Sequence, residues 1–182
     1  MSDTIVPIAK TSTSFFAAIL ILGLCANQVR AETSVISAVI SWQGQGQVFP
    51  VGVSAHRFLG AMEGIMYVET AEGVMNEAFV RCPIVQDIDS ADRSTSVSGT
   101  CVIAVSPEDT VFAELTCEGV AGFCIGQFRI TGGTGRFDGV SGSGPMTVRS
   151  PIHALVADLS DGTVIHAAAG ILQMPKLEVH LP

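Results

Sequence analysis

The chain has 182 residues, a formal charge of −8 from 9 basic against 17 acidic side chains, and an apolar fraction of 48%. So few cations, with no basic cluster in the sequence, exclude nucleic acid and anionic membrane surfaces, whose phosphates demand concentrated Lys and Arg. Length and apolar content instead fit one globular domain with a substantial core.

In chain order, Lys10 precedes an apolar stretch from Phe15 to Cys25, too short for a membrane-spanning helix. With Val29-Arg30-Ala31 at the cleavage position, residues 1–31 read as a secretory signal peptide, a retained N-terminal anchor being the rival reading. Its removal takes Asp3, Lys10 and Arg30 with it, so residues 32–182 form a single, still more acidic domain, exported to the periplasm or secreted. No integral membrane segment is expected in that mature chain.

From Val35 onward almost every segment alternates or is β-branched, and turn residues recur at about ten-residue intervals. Strands are predicted over Val35–Trp42, Val48–Phe58, Met62–Glu69, Val74–Cys82, Ser96–Val105, Val111–Cys117, Phe123–Thr131, Val140–Val148, Ile152–Leu159 and Thr163–Leu172, with a short end strand Leu177–Leu181. Turns fall at Ala71-Glu72-Gly73, Asp89–Arg93, Ser106–Asp109, Glu118–Gly122, Gly132–Gly135 and Ser160–Gly162, each rich in Gly, Asp, Asn, Ser or Pro. No amphipathic helix survives this parsing. Short antiparallel strands rich in Val and Ile imply an all-β sandwich or closed barrel, and closure removes edges that such a chain would leave sticky.

The four cysteines beyond Cys25, namely Cys82, Cys101, Cys117 and Cys124, form an even set in a chain bound for an oxidising compartment. Three pairings exist. A turn centred near Ala91 brings Cys82 opposite or nearly opposite Cys101, and Cys117 with Cys124 flanks the loop Glu118–Phe123, so Cys82–Cys101 and Cys117–Cys124 are the expected disulfides. None of these cysteines has the two-residue spacing of a zinc knuckle, and no metal is expected.

Three constellations bear on chemistry. Centring the turn after Glu69 on Ala71-Glu72 puts Glu63, Ile65 and Tyr67 on one face with Asn76, Ala78 and Val80 opposite. Facing a lumen, Glu63, Tyr67 and Asn76 would orient the polar end of a ligand or move a proton; the shared carboxylates Glu63 and Glu69 weigh instead toward a solvated outer face. His153 and His166 are near neighbours across the Asp158–Gly162 turn and are reserve ligand-binding candidates, two imidazoles without a third ligand being a poor metal site. Both faces of their strands are largely apolar, which suits a subunit interface in a homo-oligomer as well as a core.

The third is the glycine run Ile130-Thr131-Gly132-Gly133-Thr134-Gly135-Arg136-Phe137-Asp138-Gly139. It matches neither a Walker loop nor a dinucleotide fingerprint, and no cofactor is expected. Gly132, Gly133 and Gly135 are read as the positive-φ residues of a strand-turn-strand, with Phe128, Ile130, Phe137 and Val140 on its half-buried surface. This run resembles the strand-turn-strand signature of the allene oxide cyclase barrel and, more loosely, of the plant dirigent proteins. The resemblance implies a single antiparallel β-barrel of about eight or more strands, calycin- or allene oxide cyclase-like. It further implies a cofactor-independent cyclase or isomerase acting on an apolar, lipid- or polyketide-type substrate. The residues by themselves favour a barrel that binds a small apolar molecule in its lumen. A cell-envelope interaction protein without a lumen ligand is the third reading.

Overall fold

The computed structural model describes residues 32–70, 73, 75–151 and 164–182. The expectations for the 1–31 segment, the Ile152–Leu159 strand and His153 lie outside the described residues, and of His166 only the backbone's place in a strand is described. Eight antiparallel strands, each paired with its sequence neighbour and the last with the first, close into a barrel. They are β1 (Glu32–Pro50), β2 (Ala55–Glu69), β3 (Met75–Asp89), β4 (Ser94–Ala104), β5 (Thr110–Val120), β6 (Phe123–Gly133), β7 (Ser141–Arg149) and β8 (Val164–Leu181). β1 starts and β8 ends side by side, Glu32 opposite Leu181. We call that end of the barrel the lower one.

Period-two alternation sorts the side chains. On β2, Phe58, Met62 and Met66 are buried while Arg57, Leu59, Ile65 and Tyr67 are exposed; on β3, Ala78, Val80 and Cys82 are buried between exposed Phe79 and Arg81. The outer wall carries charges along the strands, joined in ladders by Arg57–Asp87 (2.7 Å), Glu63–Arg81 (2.7 Å) and Glu114–Arg129 ion pairs. Between these pairs the outer wall also exposes large apolar side chains, among them Ile65, Phe79, Val102 and Ile125, while the inner face is apolar and packed. Among the described residues no helix is long and apolar enough to cross a membrane.

Several strand boundaries differ from the sequence reading. Val35–Trp42 and the first part of Val48–Phe58 belong to one long strand, and the chain reverses at Val51–Ser54, where Val51 and Gly52 both donate to the Ala55 carbonyl. The run Gln43-Gly44-Gln45-Gly46-Gln47 looks like a break, yet it stays in the ladder because its glycines let neighbouring strands crowd in. A Cβ at Gly46 would overlap the Leu59 carbonyl oxygen and the Phe58 ring. Likewise Thr163–Leu172 and Leu177–Leu181 are parts of one strand, β8. Pro175, in the gap between the two expected strands, falls where the β1–β8 register shifts between Ile36 and Ala38, and a bulge is where a strand tolerates a residue with no N–H.

Both expected disulfides are present. Cys82 and Cys101 link β3 to β4 with Cα atoms 4.1 Å apart, and Cys117 and Cys124 link β5 to β6 at 5.6 Å. All four side chains point inward. With Ile40, Val80, Met146 and Met174, the Cys82–Cys101 bridge fills the middle of the barrel, each of these residues being almost wholly buried. The lumen is therefore not one tube but two recesses separated by a packed layer.

Candidate functional sites at the two ends of the barrel

The lower recess is a cavity of about 530 Å³. Its wall is apolar: Met66 and Val68 from β2, Ala78 from β3, Ile103 from β4, Val111 from β5, Phe128 and Ile130 from β6, Leu177 and Val179 from β8. Polar groups are confined to the mouth, where Asn76, Glu77 and Arg136 stand.

The glycine run builds one side of this mouth. β6 continues through Gly133, a single 3-10 turn covers Gly135–Phe137, and the return strand starts only at Ser141, so the run forms a longer loop than a tight hairpin. Its side chains fasten it to the β4–β5 turn. Thr134 donates to the Glu108 carbonyl (2.9 Å), the Arg136 backbone N–H donates to the Asp109 carboxylate (3.0 Å), and the Arg136 guanidinium pairs with the same carboxylate (3.2 Å). That guanidinium also lies 4.9 Å from the Phe137 ring centroid, which sets Phe137 against the cavity.

The three glycines have different reasons for being there. Gly135 has φ +60°, and a Cβ on it would collide with the Asp109 carboxylate and the Glu108 carbonyl. Gly132 lies at a bulge, Phe112 pairing with Gly132 while Ala113 pairs with Ile130. Gly133 is not a positive-φ residue, which corrects the reading of all three as such; it is small because a Cβ would come within 2.6 Å of the Phe137 carbonyl oxygen. The second left-handed residue of the loop is Gly139, at φ +80°. Gly135→Ala is expected to cost about 1–2 kcal/mol in the backbone term alone, more with the clash, and to free the loop from Asp109. Chemical denaturation with hydrogen exchange at Arg136 checks both effects.

The sequence-predicted polar site does not assemble. The turn residues Ala71 and Glu72 lie outside the described residues, and the register of β2 on β3 pairs Glu63 with Arg81, Tyr67 with Glu77 and Val68 with Asn76. Relative to a centre between Ala71 and Glu72, this is a slip of one residue, which on a strand exchanges the two faces. Glu63 and Tyr67 therefore lie on the outer wall, Glu63 held by Arg81 and Tyr67 43% exposed. Asn76 falls on the inner face of β3, at the lower mouth and apart from them. Phe137 and Arg136 were overlooked as mouth residues because a glycine-rich turn reads as a connection rather than as a wall.

The upper recess, at the opposite end, is smaller, about 70 Å³. Phe58, Met62, Ile88, Val97, Leu115 and the Cys117–Cys124 bridge line it together with Trp42, which is 9% exposed. Its polar groups are largely spent on one another, Gln86 donating to the Thr95 hydroxyl (2.8 Å), which donates to the Asp87 carbonyl (3.0 Å). Trp42 differs, since among the described residues its Nε1–H has no hydrogen-bond partner.

Comparisons with protein-family models, with curated proteins and with solved structures each found no match. The geometry of the two recesses is thus the basis for a functional reading. Among the described residues neither recess has a charged inner wall. Perturbed titration occurs outside: the Arg57 guanidinium, through its hydrogen bonds, holds the Asp87 carboxyl below the usual carboxylate range and is itself raised. Among the described residues no group of three or more His, Cys, Asp or Glu side chains is placed to hold a metal.

Proposed function

We propose that the protein is an exported carrier whose lower recess binds one small, largely apolar molecule. The observation that carries this reading is the 530 Å³ apolar cavity at the end of a barrel that is otherwise packed through its middle. That volume falls within the range of ligand pockets, as does an apolar wall with a few polar groups at the mouth. Asn76 offers an amide to the ligand's polar end, whereas the Arg136 charge is already taken up by Asp109. Export is supported by the two disulfides and by the apolar leader.

The cyclase or isomerase suggested by the family resemblance is the less favoured reading. Proton transfer would need a positioned acid or base in the recess. Glu63 and Tyr67 stand on the outer wall, and the Glu77 carboxylate at the mouth comes from an outward register position of β3. What still supports that reading is the glycine run and the possibility of purely steric control in an apolar cavity.

Native mass spectrometry of the exported protein is expected to show a co-purifying small molecule, displaced by solvent extraction. Ala78→Phe, which fills the wall beside Asn76, is expected to weaken rebinding by tenfold or more, about 1.4 kcal/mol. An Ala78→Phe protein that rebinds the molecule at wild-type affinity would overturn the assignment to this recess. Conversion of the molecule to an isomer by the wild type would replace the carrier reading with the enzyme one.

A further inference from the structure

We propose that the upper recess is a second ligand site, independent of the lower one, for a neutral apolar molecule whose carbonyl or ether oxygen accepts the Trp42 Nε1–H. Two separate observations meet here. The first is the recess itself, of about 70 Å³ and lined mainly by apolar side chains. The second is an indole donor, on a residue nine-tenths buried, that finds no acceptor among the described residues. A buried N–H left unpaired is destabilising, and a ligand oxygen that accepts it recovers that cost.

The sequence keeps the indole where it is. Trp42 follows Ile40 on the inward face of β1, and across it the chain places Gly64 on β2 and Gly170 on β8. A Cβ at Gly170 would press on the indole ring within 2.6 Å, so these glycine positions leave room for the ring to lie in the wall. The chemistry of the ligand follows from the lining. No charged side chain lines the recess among the described residues, so an ion would enter without a counter-charge. The recess is small, which limits the ligand to an oxygen with a few flanking carbons. Gln86, Thr95 and Ser150 in the lining are engaged in hydrogen bonds of their own, so the unpaired Trp42 N–H selects a ketone, aldehyde, ester or ether over a hydrocarbon of the same shape.

Trp42 is the single tryptophan of the chain, so its indole gives one isolated NMR signal. Titrating 15N-labelled protein with 2-butanone should move that indole proton downfield in a saturable way, with accompanying shifts at Ile88 and Val97. The shape-matched alkene 2-methyl-1-butene should shift Ile88 and Val97 without the downfield move. Trp42→Phe should weaken 2-butanone by about tenfold and change the alkene by less than twofold. Should that variant fail to fold, Val97→Phe, which fills the recess, should abolish the ketone-dependent indole shift.

Equal losses for ketone and alkene in Trp42→Phe would overturn the proposal. So would shifts confined to Asn76 and Ala78, which would place the probe in the lower recess, or an indole proton held by a resident water that neither probe displaces. None of these outcomes depends on whether the lower recess binds its own ligand.

Discussion

Phe128→Ala should lower the free energy of unfolding by about 3–5 kcal/mol, the range for truncating a buried phenylalanine. Phe128 is completely buried, on β6 with Leu115 opposite it on β5, and its ring forms part of the inner wall of the lower recess. The residual space would join an existing cavity. The carrier reading therefore adds a second expectation: the variant, although less stable, should admit a bulkier molecule than the wild type. Urea denaturation at constant pH, with a homologous series of apolar probes, measures both. A stability loss below about 1 kcal/mol would mean that Phe128 is not packed as described.

Loss of the disulfides is the second large effect. In the chain-entropy account, the 19-residue separation of Cys82 and Cys101 corresponds to about 3 kcal/mol and the 7-residue separation of Cys117 and Cys124 to about 2.5 kcal/mol. The double substitutions Cys82→Ala/Cys101→Ala and Cys117→Ala/Cys124→Ala should each lower stability by roughly those amounts. The first should cost more than its entropy alone, because both sulfurs belong to the fully buried central layer. Denaturation of each variant, and of the wild type with and without reductant, provides the check. A wild type whose denaturation midpoint is unmoved by reductant would show that the bridges do not hold the barrel. The Cys117–Cys124 variant should also disturb the Trp42 indole signal, since that bridge lines the upper recess, while leaving Asn76 and Ala78 unmoved.

Much of the architecture was legible in residue order. Alternation from β2 to β7, with turn residues between, leads to antiparallel strands, and the need to hide apolar edges leads to closure. Register arithmetic across Asp89–Arg93 was accurate enough to pair Cys82 with Cys101. The same arithmetic failed across Thr70–Val74, because a turn centre misplaced by half a residue moves every partner by one and exchanges inside for outside. That error set Tyr67 opposite Asn76 as one polar face, whereas Glu63 and Tyr67 lie on the solvated outer wall toward which the carboxylates of Glu63 and Glu69 already weighed. The strands read from sequence left gaps at 43–47 and 173–176, since local propensity carries no record of the neighbouring strand that crowds Gly46 or of the bulge that houses Pro175. The two recesses were less legible still. Trp42, Phe128 and Phe137 are far apart in sequence, and which of them end beside empty space depends on closure of the whole ring.

That closure has a kinetic consequence. The seam joins β1 to β8, so the first strand of the barrel has no second partner until almost the whole chain has been made and delivered. Contacts of such sequence separation are entropically late and place the domain among slow folders, in milliseconds to seconds or longer. Until β8 arrives, the outer edges of β1 and β7 are both unpaired, and the inward-facing row Ile36, Ala38, Ile40 and Trp42 meets water. A chain crossing into an oxidising compartment would form the local β3–β4 and β5–β6 bridges first, leaving two stapled hairpins to wait for the last strand.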